Sequence, residues 1–499
     1  MTLNEAAAVL DTTEKALYAL AHAQDILYVD GETVAPKQSW RARGEALGYL
    51  SELQYQKLTS PETAEAVRTI LDRGDQADPV VFRRAEVLKE NLDEMNVLPL
   101  EEFVAYQKLI NEASAVWHSA KEASDYASFA PCLEKIVAAR RRFASLKGPG
   151  KPAYDVLLDQ YEKGASMEML DPFFATLKND LSPLIAEVAA HPLPVPGFMK
   201  ETYPAAQQRL FSDRIMALEG LDPGRCCIGE TEHPFTGGPN KWDVRITTHY
   251  HEDDVTGSLY SVIHEGGHAL YELGIADDLQ FTCLGHGCTM GIHESQSRFY
   301  ENIIGRSRAF CVPLLAAMKA VFPDQMKGVD EDTLYQGVNL SKPSLIRTEA
   351  DELTYSLHVM IRYELEKALV CGDLSVADLP GEWNRMYRDV LGVTVPDDRR
   401  GVLQDSHWSS GYLGYFPSYA LGSAYGVQML RRMESETDVW GSVEKGDLSP
   451  VTAWLGDKIH RFGSLKKPSE LLENAMGGPL DASVYTSYLR DKFTALYKL

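Results

Sequence analysis

The sequence has no long apolar run and few cysteines, and both shortages narrow what the chain can be. Its best apolar stretch, residues 309–322, is interrupted by Pro313 and Lys319, whereas a membrane-spanning helix needs roughly 20 apolar residues. Residues 1–20 carry acids where a secretory signal carries bases. The 7 cysteines, an odd number, favour a reducing compartment over a disulfide framework. We therefore expect a cytoplasmic protein with no membrane partner.

Basic side chains are scarce relative to acidic ones. The 499 residues include 49 Lys and Arg against 72 Asp and Glu, which gives a net charge of −23 at pH 7. Because such a surface repels polyanions, neither nucleic acid nor an anionic membrane is expected as a partner. With 44% hydrophobic residues, no repeat and no low-complexity tract, the chain has the composition of an ordered globular protein.

Helix-forming residues with apolar side chains every three to four positions dominate the chain, which predicts a mainly α fold class. We expect a single domain over residues 1–499, with a helical lobe at 1–220 and a catalytic lobe at 221–499. Segments rich in Gly and Pro, among them residues 236–240, are interpreted as loops. Alternation of apolar and polar residues from Trp242 to Tyr250 predicts one strand.

The segment His264-Glu-Gly-Gly-His268 indicates a zinc site. On a helix, histidines four residues apart share one face and can bind a single metal ion. Glu265 projects about 100° away round the helix, so its carboxylate is placed to reach a metal-bound water instead of the metal. Glu265 is therefore the predicted general base.

The same predicted helix contains a costly Gly266-Gly267 pair. Two interior glycines cost a helix roughly 2 kcal/mol relative to alanines. This cost indicates that another part of the chain packs very close to that turn. Thr256 or Ser258 is expected to cap the start of the helix, and Gly274 lies where its C-terminal cap belongs.

A catalytic zinc needs three protein ligands and an open position for water. The best candidate for the third ligand is Glu294, at the head of an amphipathic run that ends at Gly305. The alternative is a surface Glu294 that pairs with Arg298, one helical turn further on.

Two other groups of metal-binding side chains compete with this site. Cys283, His286 and Cys288 lie close together in sequence, but their spacing matches no common structural zinc site. His249 and His251 fall at the end of the predicted strand, and we interpret them as a strand end in preference to a metal site.

Five further short motifs follow one another in the chain around the zinc motif. They are His233-Pro-Phe235, Asp243-Val-Arg-Ile-Thr247, His293-Glu-Ser-Gln296, Ile346-Arg-Thr-Glu-Ala-Asp351 and Gly401-Val-Leu-Gln-Asp-Ser-His-Trp408. With these motifs in this order, the sequence resembles the carboxypeptidase Taq family of zinc metallocarboxypeptidases.

The resemblance implies a fold similar to neurolysin and angiotensin-converting enzyme, with two helical lobes around a deep groove and a small β-sheet next to the zinc helix. It implies one Zn²⁺ per chain, which Co²⁺ can replace, and a homodimer. It also implies removal of single residues, with broad preference, from peptides that have a free C-terminal carboxylate. His264, His268 and Glu294 become the zinc ligands, and Glu265 the general base.

The oxyanion formed during peptide hydrolysis needs a hydrogen-bond donor. The resemblance suggests His407 together with one tyrosine, and both Tyr412 and Tyr415 are candidates because Gly411 and Gly414 allow the chain to bend there. Ordinary packing is the alternative for either tyrosine.

The planar guanidinium of arginine presents a fork of N–H donors that matches the two oxygens of a carboxylate. Arg347 is therefore the residue predicted to bind the C-terminal carboxylate of the substrate. Asp351 is expected to orient it or to support a zinc histidine, and the alternative is a helical Arg347–Asp351 salt bridge. Gln404 is predicted to contact substrate. His293 and Gln296 are predicted to support the metal ligands from behind.

The predicted strand offers another substrate contact. If it is an edge strand, an extended peptide can pair with it, and Asp243, Arg245 and Thr247 would then lie near the cleft. The alternative is a core strand in which Asp243 and Arg245 form a structural pair.

Two other functions compete with the predicted one. An endopeptidase, or a carboxypeptidase that releases dipeptides, fits the same metal ligands. A non-catalytic peptide-binding protein with a vestigial site belongs to a different class, and the intact set of His264, Glu265, His268 and Glu294 argues against it.

Overall fold

The computed structural model describes residues 1–499, of which 69% are helical, as the mainly α prediction requires. The α-helices are α1 (Leu3–Thr33), α2 (Trp40–Leu58), α3 (Pro61–Asp72), α4 (Pro79–Met95), α5 (Leu100–Ala123), α6 (Tyr126–Lys147), α7 (Ala153–Tyr161), α8 (Met167–Ala190), α9 (Ala205–Glu219), α10 (Val255–Gly274), α11 (Met290–Arg298), α12 (Arg308–Val321), α13 (Glu331–Val338), α14 (Tyr355–Cys371), α15 (Leu379–Met386), α16 (Pro417–Glu436), α17 (Val439–Glu444), α18 (Ser449–Lys458), α19 (Pro468–Met476) and α20 (Ala482–Tyr497). Single π-helical segments continue α11 at Phe299–Ile304 and α15 at Tyr387–Leu391.

One small sheet interrupts the helices. Its strands are β1 (Cys226–Glu230), β2 (Thr236–Asn240) and β3 (Asp243–Thr248), in the spatial order β1-β3-β2. β3 is parallel to β1 and antiparallel to β2, so both of its sides are hydrogen-bonded. The predicted strand therefore exists, slightly shorter than predicted, but its interpretation as an edge strand is wrong.

The segment interpreted as a loop at residues 236–240 is β2. Gly238 has a φ of +135° and sits where the register between β2 and β3 shifts. Pro239 is tolerated because β2 lies at an edge of the sheet, where one side of the strand needs no ladder bonds. The strand depends on pairing with β3, and its own composition does not reveal it.

Most of the helical body shares one hydrophobic core. A cluster of 102 buried residues extends from Ala113 to Tyr497, while α1–α4 enclose a separate cluster of 9, from Ala6 to Leu92. The main core therefore includes residues on both sides of position 220, and the predicted lobe boundary there stays a prediction. None of the helices is long and apolar enough to cross a bilayer.

Helix α10 carries the predicted zinc motif. The Asp254 side chain caps it by accepting hydrogen bonds from the backbone N–H groups of Thr256 and Gly257. The predicted cap at Thr256 or Ser258 is therefore wrong, because Ser258 lies inside the helix and donates to Gln208 instead. The helix includes Gly274 as its last residue and its C-cap is Ile275, one residue beyond the predicted cap.

The glycine pair of α10 makes room for its neighbours, as the sequence indicated. A Cβ on Gly267 would lie 2.7 Å from the backbone oxygen of Gln296 and 2.7 Å from the Cα of Ser297, both on α11. A Cβ on Gly266 would collide with the carboxyl group of Glu219 on α9. The missing side chain of Gly267 lets α10 and α11 approach backbone to backbone, and that of Gly266 leaves room for Glu219.

Candidate metal centre

Helices α10 and α11 bring the three predicted metal ligands together. One ligand atom from each of His264, His268 and Glu294 lies within 4.8 Å of the others. The Glu294 Oε2 atom is 3.8 Å from Nε2 of His268 and 4.0 Å from Nε2 of His264. Two imidazoles and a carboxylate at these separations fit around one ion bound at about 2 Å from each donor, and this donor set is typical of catalytic zinc.

His264 is held from behind by Glu301. Its Nδ1 lies 2.8 Å from Oε2 of Glu301, which leaves Nε2 facing the cluster. A carboxylate behind a ligating histidine fixes the ring and its tautomer. Glu301 was not predicted, because it lies in the π-helical segment 299–304, where regular helical spacing no longer indicates which way a side chain points.

His268 is supported by a second chain of contacts. Its Nδ1 lies 2.7 Å from Nδ1 of His293, and Nε2 of His293 lies 2.8 Å from Oε1 of Glu272. If the His268 Nδ1–H donates, His293 accepts it and donates onward to Glu272. The structure thus places His293 behind a predicted metal ligand, and Glu272 completes the support.

The surroundings shift the pKa values of these groups in opposite directions. Burial alone lowers the pKa of His264, but hydrogen bonding to Glu301 and the charges of Glu294 and Glu301 raise it above its ordinary value. Burial and the neighbouring His293 hold the pKa of His268 well below 6.5. Burial opposes ionisation of Glu301, but Arg298 and His264 outweigh it and hold that pKa low.

The two carboxylate oxygens of Glu294 face different partners. Its Oε1 accepts a hydrogen bond of 2.7 Å from Nε of Arg298, while Oε2 faces the two histidines. The pair with Arg298 is not a surface salt bridge, because the two side chains are only 13% and 8% exposed.

Glu265 is buried beside the cluster, without belonging to the set of ligands. Its Oε2 accepts a hydrogen bond of 2.6 Å from the hydroxyl of Thr236, the first residue of β2. Burial raises the pKa of Glu265, while the neighbouring charge of His264 and the Thr236 hydroxyl act against that rise. A carboxylate with a raised pKa is suited to proton transfer near neutral pH.

A cavity of about 710 Å³ opens onto the cluster, and its size fits a small peptide segment. Its walls include His264, Glu265 and Glu294, together with Arg298, Arg306, Arg347, Asp351, Tyr355 and Tyr419. The structure therefore places the predicted carboxylate-binding arginine in the same cavity as the predicted metal ligands.

Arg347 is held by Asp405, not by Asp351. Its Nε and Nη2 donate to Oδ1 of Asp405 at 3.1 and 3.0 Å, and its Nη1 donates to the Tyr355 hydroxyl at 3.0 Å. The Asp351 carboxylate instead accepts hydrogen bonds from Ser341 and from backbone N–H groups that precede α14. The predicted roles of Asp351 toward Arg347 or a zinc histidine are therefore corrected, because its oxygens bond to Ser341, to Lys342 and to its own turn.

Gln404 holds Arg347 and Arg362 in place and does not line the cavity at the metal cluster. Its Oε1 accepts from the backbone N–H of Arg347 and from Nη2 of Arg362, and its Nε2 donates to the carbonyl of Leu345. Because both ends of the amide have protein partners, the predicted substrate contact is corrected to a structural one.

The polar residues of β3 also belong to the scaffold. Asp243 and Arg245 form two hydrogen bonds of 2.8 Å to each other, and the Thr247 hydroxyl bonds to the backbone of Phe235. None of these three side chains lines the cavity at the metal cluster. The alternative of a structural pair on an internal strand is the one observed.

Gln296 points away from the predicted ligands. Its Oε1 lies 2.9 Å from Nε2 of His460, and its Nε2 donates to Ser295. The expectation that it supports the metal ligands is corrected, since its side chain joins α11 to residues 460–462.

His407 and the glycine-rich segment after it lie behind one wall of the cavity. Gly411 and Gly414 have φ values of +77° and +97°, so the predicted bend is present. It leaves Tyr412 49% exposed and outside the cavity wall, with Tyr415 packed against Tyr161 and His407.

Tyr419, on α16, lines the cavity in place of the two predicted tyrosines. Its hydroxyl lies 3.3 Å from Nε2 of His407. Burial lowers the pKa of His407 to about 4, so the ring is neutral at pH 7. Tyr419 lies four residues beyond Tyr415, and helical spacing from Tyr415 was the one available signal for it.

Neither of the two rival groups brings three metal-binding side chains together, whereas His264, His268 and Glu294 do form such a group. The thiols of Cys283 and Cys288 contact different backbone carbonyls, those of Arg84 and Lys466. His249 follows the last residue of β3, and its Nδ1 lies 2.9 Å from the carbonyl of Thr231.

Comparison with known proteins gives one consistent result. The profile of the family described as carboxypeptidase Taq (M32) metallopeptidase matches residues 9–493. Carboxypeptidase 1 of Bacillus subtilis (strain 168) is 38% identical over 476 residues, which cover 95% of each chain. Thermostable carboxypeptidase 1 of Pyrococcus furiosus is 34% identical over 488 residues, 96% of each chain. The crystal structure of the M32 carboxypeptidase from Deinococcus radiodurans R1 superposes with a TM-score of 0.96 at 33% identity, covering 98% of this chain and 99% of the other.

Proposed function

The chain belongs to the carboxypeptidase Taq (M32) family of metallopeptidases, and we propose that it is a zinc-dependent carboxypeptidase that removes single residues from the free C-termini of peptides. The observation that carries this proposal is one cavity lined by His264, Glu294, Glu265 and Arg347, where His268 completes the group of three possible metal donors. These groups supply a metal site, a base and an anion-binding residue.

A zinc ion held by His264, His268 and Glu294 would polarise the scissile carbonyl and acidify a water molecule. Glu265 takes the proton of the attacking water and delivers it to the leaving amine. The Thr236 hydroxyl holds the carboxylate in position, and burial raises its pKa toward the range where both transfers are efficient.

Arg347 recognises the substrate carboxylate. Asp405 and Tyr355 orient its guanidinium, and N–H groups without a protein partner remain for the ligand. Arg362 bonds to the second oxygen of Asp405, which keeps that carboxylate charged and fixed. We propose that a C-terminus bound there places the last peptide bond at the metal ligands, so that cleavage releases one residue at a time.

His407 and Tyr419 stabilise the oxyanion. The Tyr419 hydroxyl lines the cavity and is the hydrogen-bond donor, while the neutral His407 imidazole lies behind it, 3.3 Å from the hydroxyl. In this assignment Tyr419 takes the role that Tyr412 or Tyr415 had in the sequence-based prediction.

Three further parts of the proposal rest on family resemblance: broad preference at the released residue, replacement of Zn²⁺ by Co²⁺ and a homodimer. We also propose a cytoplasmic location, which rests on the odd number of 7 cysteines. The large negative net charge agrees with small-peptide substrates and with the absence of a nucleic-acid partner.

Mass spectrometry of one defined peptide tests the proposal. The expected result is a ladder of products that shorten by one residue from the C-terminus, that stop with a chelator and resume with added zinc. Internal fragments would favour an endopeptidase, and steps of two residues a dipeptide-releasing enzyme.

A Glu265→Gln variant tests the assignment of the base. It is expected to bind zinc like the wild type and to lose about 100- to 10,000-fold in kcat. A wild-type protein that binds zinc but cleaves no peptide would support the non-catalytic alternative.

A further inference from the structure

The two oxygens of Glu294 have different partners. Oε1 accepts a hydrogen bond of 2.7 Å from Nε of Arg298, and Oε2 is the atom that lies 3.8 and 4.0 Å from the two histidine Nε2 atoms. A carboxylate whose two oxygens are both free can bind a metal ion through both of them. Here one oxygen is already taken by a guanidinium.

Arg298 is itself held rigidly. Its Nη1 donates to Oε2 of Glu301 at 3.0 Å, and its guanidinium lies 4.1 Å from the ring centre of Tyr355. The side chain is 13% exposed, so it has little freedom to release Glu294. Glu301 in turn holds His264, so Arg298 joins the supports of two predicted ligands.

We propose that Arg298 is a positioning residue that restricts Glu294 to metal binding through a single oxygen. A catalytic site needs an open position for water beside three protein ligands. A Glu294 that binds through both oxygens would occupy that position. Arg298 therefore keeps the water site open, and this inference rests on the proposed zinc-dependent function.

The same arrangement connects the metal ligands with the predicted carboxylate-binding residue. The Tyr355 ring packs against Arg298, and its hydroxyl accepts a hydrogen bond from Arg347. Tyr355 thus supports both arginines, which explains why a tyrosine at the start of α14 faces this cavity.

Absorption spectra of the cobalt-substituted protein test the proposal, because four-coordinate Co²⁺ absorbs visible light more strongly than ions with more ligands. Arg298→Met retains most of the side-chain volume and removes both hydrogen bonds. We expect weaker cobalt absorption, and a kcat lowered about 10- to 100-fold with KM changed much less. Arg298→Lys, which keeps the charge but lacks the planar fork, is expected to recover part of the absorption and of kcat.

Arg306→Met is the matched control. Arg306 lies in the same cavity and 3.6 Å from Glu301, but it does not contact Glu294. Its cobalt spectrum should match the wild type, which would exclude a general effect of lost positive charge.

A wild-type spectrum in folded Arg298→Met would overturn the proposal, as would equal changes in both methionine variants. Should Arg298→Met fail to fold, a wild-type spectrum in Arg298→Lys at reduced kcat would overturn it. Failure of the wild type to bind cobalt would instead reject the underlying metal-dependent function.

Discussion

The hydroxyl of Thr236 donates a hydrogen bond of 2.6 Å to the carboxylate of Glu265, and a second contact of 2.9 Å reaches the Glu265 carbonyl. Thr236 begins the edge strand β2, whereas Glu265 lies at the middle of α10. The sheet therefore has a direct role in the site, since it fixes the orientation of the proposed base.

Thr236→Val should slow catalysis without unfolding the protein. Valine keeps the shape of threonine and removes one hydrogen bond, which is worth about 1 kcal/mol, so kcat is expected to fall roughly 5- to 10-fold. Steady-state kinetics with a short peptide provide the measurement. Thr236→Ser retains the hydroxyl and should stay close to wild type, and a Val variant with unchanged kcat would show that Glu265 needs no such support.

Arg347→Ala should remove most of the preference for a free C-terminus. Loss of a buried, charge-assisted contact costs about 3 kcal/mol, so kcat/KM for a peptide with a free carboxylate is expected to fall roughly 100-fold. The matching peptide amide lacks the anion and should lose much less. Parallel assays of the two peptides decide the matter, and equal losses on both would reject Arg347 as the carboxylate-binding residue.

Gly267→Ala should destabilise the contact between α10 and α11. The new Cβ would lie 2.7 Å from the backbone of α11, and overpacking of this kind costs about 1–3 kcal/mol. Zinc affinity should fall as well, because the two helices carry the three ligands. Denaturant unfolding and zinc competition with a coloured chelator measure the two effects.

Gly44→Ala provides the control for that experiment. Gly44 lies inside α2, where a Cβ would meet no atom within 4 Å, so alanine should be neutral or stabilise the helix by up to about 1 kcal/mol. Equal behaviour of the two alanine variants would contradict the packing argument.

Glu162 should make stability depend on pH. It is buried, accepts hydrogen bonds from Thr289 and from the N–H of Gly291 at the start of α11, and burial raises its pKa to about 7. Between pH 4.5 and 7 the folded state therefore holds a proton that the unfolded state has released, so this group's contribution to stability declines as the pH rises.

Glu162→Gln should remove that decline, because an amide can keep both hydrogen bonds without ionising. Relative to wild type, the variant is expected to gain up to about 3 kcal/mol between pH 5 and pH 8. Urea unfolding at a series of pH values measures the difference, and parallel pH profiles would contradict the assignment.

Local periodicity and motif spacing were sufficient for the parts of the site that lie on one helix. Four-residue spacing placed His264 and His268 on one face of α10, and the cost of Gly266 and Gly267 indicated the close approach of another element. Predicting Glu294 needed more information than helical spacing, because a loop and the start of a second helix separate it from the histidines in sequence. The order of the family motifs supplied that information.

The sequence-based predictions gave several polar side chains the wrong partners, because the true partners are distant in sequence. Arg347 bonds to Asp405, 58 residues away, and the Asp351 carboxylate bonds to Ser341, to Lys342 and to its own turn. Gln404 and Asp243 lie in motifs of the family, yet their hydrogen bonds are structural. Sequence shows that such residues occur in a motif, but it does not show which atom each one touches.

By itself, the sequence determined a mainly helical metallopeptidase with His264, Glu265 and His268 on one helix, since helical spacing is a local property of the chain. Only the tertiary structure decided that Thr236 holds the base, that Glu301 and Glu272 support the histidines, and that Tyr419 replaces Tyr412 and Tyr415 at the cavity. These relationships arise where separate elements pack, and hydrogen bonds between such elements are specified by the fold as a whole and not by any one segment.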